Sequence, residues 1–340
     1  MTINIGVVGL KFGHYHVQTL ANLPGVRLVA VADRSAELPK GLDAYAHSYG
    51  ATAYRDGLEL LDHPELDAVS ICTSPRSRAP LIEAAAARDL PMFIEKPWAA
   101  NLIQAHSLTK LAQTHNANIM LGFSFRVHPA AVRLQDLVRD ELDTGLGRGM
   151  LLTGEYLFDW LPEADNWLWD KNNGGGFFNE NSCHLLDMVC ALLGKPISVF
   201  AKGVNEHASP SAEAALVTIT FEGGALASVL LGGLGAGAHK NYPRLTLITQ
   251  NGQATLHGRE HIWESLIWAT RNDEVTHTLT TSPEALGQTR YSHALSHFVD
   301  CVQTGKPFAA TVDDGLRAVK LATAIYASID NGQEISLEEL

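Results

Sequence analysis

The sequence predicts an α/β fold in two parts. Residues 1–122 would form a domain on a parallel sheet, and residues 123–340 an α+β domain with a large open, mostly antiparallel sheet. Two observations carry this. Over residues 1–98, short apolar runs alternate with helical stretches at βαβ spacing, and parallel neighbours need such long crossovers. Beyond residue 122 the strand-like runs lengthen and are joined by tight-turn signals. With 46% hydrophobic and 18% charged residues, a 340-residue chain buries a core without staples.

The run Ile3-Asn4-Ile5-Gly6-Val7-Val8 is β-branched and stops at Gly9, after which His14 to Leu23 carries a helical pattern. Arg27 to Ala32 reads as a second strand, closed by Asp33. Ala68 to Cys72 reads as a third, ending in Thr73-Ser74-Pro75. Pro80 to Arg88 has the composition of a helix, and Pro91 to Ile94 is a strand leading into Glu95-Lys96-Pro97. Strands this continuously apolar suit a sheet covered on both faces. A helix from Asn101 to about His115 and a strand from Ile119 to Gly122 complete the first domain. In the second, strands are expected at Gly149 to Phe158, Ile197 to Val204, Ala214 to Phe221, Ala225 to Leu231, Arg244 to Gln250 and Gln253 to His257. Glu222-Gly223-Gly224 and Asn251-Gly252 mark turns between them, the latter a strong hairpin dipeptide. Helices are expected at Asn181 to Leu193, Ser292 to Thr304 and Asp313 to Asp330.

Charge narrows the function. Lys and Arg total 25 against 37 Asp and Glu, a net charge of −12, and no basic run offers a track for phosphates. Nucleic acid is therefore not expected as a partner. The four cysteines (Cys72, Cys183, Cys190, Cys301) show no CxxC or zinc-like spacing and read as reduced thiols of a cytoplasmic protein. No leader pattern opens the chain, and no apolar run approaches the roughly 20 residues a spanning helix needs, so no membrane is expected. His14 and His16 lack a third ligand at sensible spacing. They read as helix-start residues, and no metal is expected.

The first βα turn, Gly9-Leu10-Lys11-Phe12-Gly13-His14, approximates a dinucleotide fingerprint. Gly9 meets the first glycine position, Lys11 occupies the second, and Gly13 falls one place early. The turn follows a strand and opens a helix, whose N-terminal amides favour phosphate. Asp33 closes the second strand, where a carboxylate holds adenosine ribose hydroxyls and repels a 2′-phosphate. That favours NAD, with NADP left open by Arg34, whose guanidinium can pair with such a phosphate.

With Glu95-Lys96-Pro97 at the end of a strand, the sequence resembles the glucose–fructose oxidoreductase / inositol dehydrogenase (Gfo/Idh/MocA) family over nearly its whole length. Thr73-Ser74-Pro75 resembles that family's loop beside the nicotinamide, and Phe125-Arg126-Val127-His128-Pro129 its Tyr-Arg-Phe-x-Pro segment. Gly174-Gly175-Gly176 followed by Glu180 and His184 resembles its catalytic segment, with Glu180 standing where relatives carry Asp. The closing Asp313-Asp314-Gly315-Leu316-Arg317 is also similar. The resemblance implies a Rossmann domain and a second domain with a large open sheet that pairs subunits into a homodimer or homotetramer. It also implies NAD(P)-dependent oxidation of a hydroxyl of a sugar, polyol or sugar derivative. Lys96 and His184 would be the catalytic pair, with Glu180 beside them. Gly9, Lys11, Phe12, Gly13, Asp33, Arg34, Thr73, Pro75, Glu95 and Lys96 would bind cofactor, and Lys96, Arg126, Trp167, Glu180 and His184 would bind substrate.

The chemistry agrees with those residue types. Taking a hydride from a secondary alcohol requires removal of the hydroxyl proton, and histidine, with a pKa of ~6.5, suits that base role near neutral pH. A lysine hydrogen-bonded to the same oxygen stabilises the charge that develops there. If the segment after Asn179 is α-helical, Glu180 and His184 form an i,i+4 pair, with Asp187 a further partner for the imidazole. Trp160, Trp167 and Trp169 read equally as edge packing or as a platform for sugar C–H faces. Arg76 and Arg78, with Lys11, Lys96 and Arg126, would make the site locally positive and suit an anionic sugar. Two alternatives share the cofactor: glycoside cleavage through transient oxidation by retained NAD, and a non-catalytic dinucleotide or sugar sensor.

Overall fold

The computed structural model describes residues 2–34, 38, 41–139, 145–170, 172–239, 243–281 and 291–340. The chain divides into two compact units. The first comprises Met1–Ala99, Ile103–Phe123 and Gln288–Leu316, and the second Ala100–Leu102, Ser124–Gly287 and Arg317–Leu340.

In the first unit, the strands β1 (Ile3–Val8), β2 (Val26–Ala32), β3 (Thr52–Tyr54), β4 (Ala68–Ile71), β5 (Met92–Ile94) and β6 (Ile119–Leu121) form a parallel sheet in the order β3-β2-β1-β4-β5-β6. The strands are buried almost throughout, as expected of a sheet with helices on both faces. Crossovers run through α1 (Leu10–Leu20), α2 (Gly41–Ser48), α3 (Gly57–Leu61), α4 (Arg78–Ala86) and α5 (Leu102–Thr114). The strand order reverses between β1 and β4, which opens a crevice at their C-terminal ends. Short β3 has no separate apolar run and escapes sequence detection.

Helix α1 begins at Leu10, four residues before the helical pattern expected from His14. Gly9 supplies no capping side chain. The Leu10 amide is instead capped from β2's end by Asp33, whose Oδ2 accepts it at 2.5 Å. Lys11, Phe12 and Gly13 thus lie in the first helical turn and not in a loop before it.

The helix Ser292–Thr304 joins this unit through aromatic packing, so the unit is discontinuous in sequence. Its Phe298 ring meets Phe93 at 5.8 Å, and the preceding Tyr291 stacks on Tyr15 at 5.4 Å.

The second unit is built on nine strands among the described residues: β7 (Gly149–Leu157), β8 (Pro196–Val204), β9 (Ala214–Phe221), β10 (Leu226–Gly232), β11 (Arg244–Thr249), β12 (Gly252–Arg259), β13 (Ile262–Thr270), β14 (His277–Thr280) and β15 (Ile335–Ser336). Their order is β14-β13-β12-β11-β7-β10-β9-β8-β15, and only the β7–β10 pair is parallel. Asn251-Gly252 turns β11 into β12 as expected, with the Thr249 hydroxyl bonded to the Gly252 amide at 3.0 Å. The missed β12–β13 hairpin turns on Glu260 and His261, at φ 48° and 70°, residues that carry no turn signature.

Burial alternates along these strands. Ala227, Val229 and Leu231 point into the core with Val199, Val217 and Ile219, while Leu226 and Leu216 remain exposed. Against the inner face pack α6 (Pro129–Arg139), α7 (Cys183–Leu193) and the latter part of the helix Val312–Asn331, through residues such as Leu134, Leu185, Val189 and Ile325. No helix among the described residues is long and apolar enough to cross a membrane.

Candidate active site

In the first unit, four strand ends converge at the crevice. Gly9 donates its amide to Ala32 O at 2.8 Å, Cys72 to Val8 O at 2.8 Å and Glu95 to Ile71 O at 3.0 Å. Gly9, Asp33, Thr73 and Lys96 are thereby placed at one end of one sheet. Gly9 has φ 88°, and a Cβ there would stand 3.1 Å from the Cys72 carbonyl atoms and from Thr73 Cγ2. Gly13 lets α1 approach β1 and β4, since a Cβ would meet Val7 and Cys72 at 3.1–3.2 Å. It thus does the helix–strand packing job of a fingerprint glycine.

The residues present fit a dinucleotide. The first turn of α1 contains no acidic residue of its own and exposes Lys11, which favours an anion, while Asp33 takes the Leu10 amide. The Thr73 hydroxyl beside Gly9 is buried without a hydrogen-bond partner among the described residues. Arg34 is exposed and reaches Asp56 at 2.9 Å, which caps α3. Pro75 opens a short 3₁₀ turn, Pro75–Ser77, behind Thr73.

Lys96 follows β5, half-buried, with a cis peptide to Pro97. Glu95 before it is buried. Its Oε2 accepts the Lys96 amide at 3.1 Å, and its Oε1 accepts Nε2 of His16 at 3.1 Å. Burial opposes the Glu95 charge, but His16, Lys96 and Arg78 outweigh it and hold the carboxyl below its usual range. Arg78, expected to face an anionic substrate, is 1% exposed. Its guanidinium donates to Thr73 O at 3.0 Å, to Trp98 O at 3.1 Å and to Pro97 O, bracing the two loops. Arg76 is exposed.

The second unit carries the other expected residues. Gly174, Gly175 and Gly176 are fixed by packing: Cβ atoms there would fall 2.3 Å from Leu168 O, 2.1 Å from Ala100 O and 2.4 Å from the Tyr326 hydroxyl. Next, Phe178–Ser182 forms a π-helical turn, and α7 starts only at Cys183. Glu180 and His184, both half-buried, therefore straddle a π–α junction and are not a regular i,i+4 pair. An i→i+5 turn needs more residues per revolution than 3.6, so a four-residue step falls short of one turn. Such single π turns are frequent at functional sites.

The His184 ring lies 5.2 Å from Phe125, which in turn touches Tyr156 and Trp263. Arg126 is buried and forks onto Asp187, with Nε to Oδ2 at 2.7 Å and Nη2 to Oδ1 at 2.6 Å. Two of the five cations expected to make the site positive, Arg78 and Arg126, are thus engaged inside the protein. Among the tryptophans, Trp169 is buried with Nε1 bonded to Glu163 O at 3.2 Å, while Trp160 and Trp167 are exposed.

Sequence reasoning missed His16. Read as a helix-start residue, it is fully buried and bonded to Glu95. The signal was present: Leu10, Gly13, His16 or Val17, and Leu20 recur at helical spacing, which puts His16 on the core stripe of α1.

Two family models match the chain: an oxidoreductase family NAD-binding Rossmann fold over residues 3–123, and an oxidoreductase family C-terminal alpha/beta domain over residues 140–337. The inositol 2-dehydrogenase of Rhizobium meliloti is 24% identical over 347 residues, covering 99% of this chain and 100% of that protein. The scyllo-inositol 2-dehydrogenase (NAD(+)) of Bacillus subtilis is 25% identical, covering 99% and 96%. A solved levoglucosan dehydrogenase, in complex with NADH and L-sorbose, superposes with a TM-score of 0.83 over 99% of both chains at 20% identity, a likeness of fold.

Proposed function

The chain belongs to the Gfo/Idh/MocA oxidoreductase family across both domains, and from that premise we propose that it is an NAD-dependent dehydrogenase acting on a secondary hydroxyl of a cyclic polyol or sugar. The observation that carries the reading is Lys96, set by Glu95 at the same sheet end as Gly9, Asp33 and Thr73. Gly9 and the first turn of α1 hold the pyrophosphate side of the cofactor, Asp33 its adenosine ribose, and Thr73 lies beside its nicotinamide. When bound, NAD supplies the hydride acceptor. Lys96 donates a hydrogen bond to the reacting oxygen and stabilises its developing charge. His184 accepts the hydroxyl proton, and Glu180 on the π turn binds a neighbouring hydroxyl. Exposed Trp167 offers an apolar face to the ring. The relatives' names make inositols the first substrates to try.

The test is reduced-nicotinamide absorbance with NAD and a panel of inositols, sugars and sugar acids, run on the wild type and on Lys96→Met. Turnover by the wild type, lost in Lys96→Met while NAD binding persists, is the expected result. Tightly retained NAD released only on denaturation, with no absorbance change on any free sugar, would shift the reading to glycoside cleavage or a sensor.

The face of the large sheet turned away from α6 and α7, open among the described residues, fits a second copy of the chain. Leu151, Leu216 and Leu226 are 49%, 61% and 41% exposed on it, among threonines. Light scattering reads the oligomer, and Leu216→Arg should dissociate it. The free thiols of all four cysteines suit the cytoplasm.

A further inference from the structure

We infer that His16 is a positioning residue for Lys96, acting through Glu95 from beneath the sheet. The inference rests on the proposed catalytic role of Lys96. His16 is 0% exposed. Its Nδ1 meets the Ser70 hydroxyl at 2.8 Å and its Nε2 donates to Glu95 Oε1 at 3.1 Å, and Glu95 Oε2 then holds the Lys96 amide at 3.1 Å. The chain of contacts runs from α1 through the end of β5 to the backbone from which the lysine side chain departs.

Two features shape this relay. Gly122 makes room for the carboxylate, since a Cβ there would stand 3.0–3.2 Å from the Glu95 carboxyl atoms. Rings of Phe12, Phe93 and Tyr291 enclose the imidazole at 5.9, 5.4 and 5.7 Å. The titratable groups facing the pair are Cys72 on the His16 side, and Lys96 and Arg78 on the Glu95 side. Burial disfavours the imidazolium, but Cys72 and Glu95 outweigh it, and the His16 pKa is raised. The relay as proposed pairs an imidazolium with the Glu95 carboxylate. The imidazolium offsets the field of Glu95 at Lys96. Without it, the carboxylate favours the lysine ammonium more strongly; without the carboxylate, the ammonium loses a counter-charge.

The experiment compares kcat and KM against pH for the wild type, His16→Gln and Glu95→Gln, with Lys96→Met as reference. Gln at position 16 keeps a donor for Glu95 without the charge. The expected result is a kcat about tenfold lower in both variants with KM and NAD affinity little changed. The alkaline limb of kcat should move up in pH for His16→Gln and down for Glu95→Gln. A merely structural role would not move the limbs in opposite directions. Folded variants whose limbs coincide with the wild type would overturn the inference while Lys96→Met stays inactive; turnover surviving Lys96→Met would overturn the role of Lys96 as well. If the variants do not fold, the imidazole ¹⁵N shifts of His16 in the wild-type protein decide. A doubly protonated ring at pH 8 supports the relay, and a neutral ring sinks it.

Discussion

Arg126 and Asp187 form a bidentate ion pair with both side chains buried, 9% and 1% exposed, joining the turn before α6 to the middle of α7. The fork geometry suits a planar guanidinium on a carboxylate and makes Lys a poor replacement. Removing either partner strands the other's charge in a dry interior, at about 3–5 kcal/mol. Asp187→Asn should therefore lower the chemical-denaturation midpoint strongly, and Arg126→Lys should recover only part of the stability. Because α7 carries His184, the proposed base, at its start, kcat should fall in both variants even at temperatures where they remain folded. A fully stable Asp187→Asn protein would count against the pair as a structural clamp.

Gly9 and Gly50 both have positive φ, 88° and 68°, but they differ in surroundings. A Cβ at Gly9 would meet the Cys72 carbonyl atoms and Thr73 at 3.1 Å, whereas nothing lies within 4 Å at Gly50. Gly50→Ala should cost only the backbone strain, about 1 kcal/mol, and leave cofactor affinity alone. Gly9→Ala must also push against the Cys72 carbonyl and Thr73 by a few tenths of an ångström, so the first βα turn moves. The dissociation constant for NAD should rise about tenfold or more, equivalent to about 1.4 kcal/mol. Calorimetric titration of both variants with NAD distinguishes the two outcomes.

What sequence could show follows a physical line. The β1–Gly9 turn, the strand leading into Glu95-Lys96 and the Asn251-Gly252 hairpin depend on residues adjacent in the chain, and they could be read there. The start of α1 could not, because its cap is Asp33, delivered by another strand. The burial of His16 depends on Glu95, 79 residues away. Arg78 looks like a surface cation after a loop, yet besides Thr73 O it bonds carbonyls on a segment about twenty residues on. The π turn that carries Glu180 follows no local propensity rule; the three glycines before it pack against Leu168, Ala100 and Tyr326.

Glu213 makes stability depend on acid. Its carboxylate is fully buried and accepts the amides of Glu206 at 2.9 Å and His207 at 3.0 Å, with the His207 ring at 3.1 Å, so it organises the loop before β9. Burial alone would raise this carboxyl, but the bonds from Glu206, Ser209 and His207 overcome it and hold the pKa down to about 2. A depressed carboxyl contributes stability above its unfolded pKa and loses it as pH falls through the folded value. The contribution, about 3 kcal/mol, should thus be intact at pH 7 and fade from about pH 5 towards pH 2. Glu213→Gln should be less stable at neutral pH and show a flatter acid limb in denaturation midpoints. Parallel limbs for the two proteins would remove Glu213 as the cause.

The turn between β12 and β13 holds two successive non-glycine residues at positive φ, Glu260 at 48° and His261 at 70°. This conformation matches the twist of a two-residue hairpin but costs a side-chain-bearing residue about 1 kcal/mol. His261 has a compensating contact: its Nδ1 meets the buried Tyr156 hydroxyl at 2.5 Å, and its ring packs on Phe158. Glu260 is an exposed residue, and the preferred residue there is Asn or Gly. Glu260→Asn should therefore stabilise the protein by about 0.5–1 kcal/mol. His261→Gly relieves the same strain yet removes the Tyr156 contact, and it should be destabilising. Thermal melts of the two variants should move in opposite directions, and a common direction would mean that the backbone alone governs this turn.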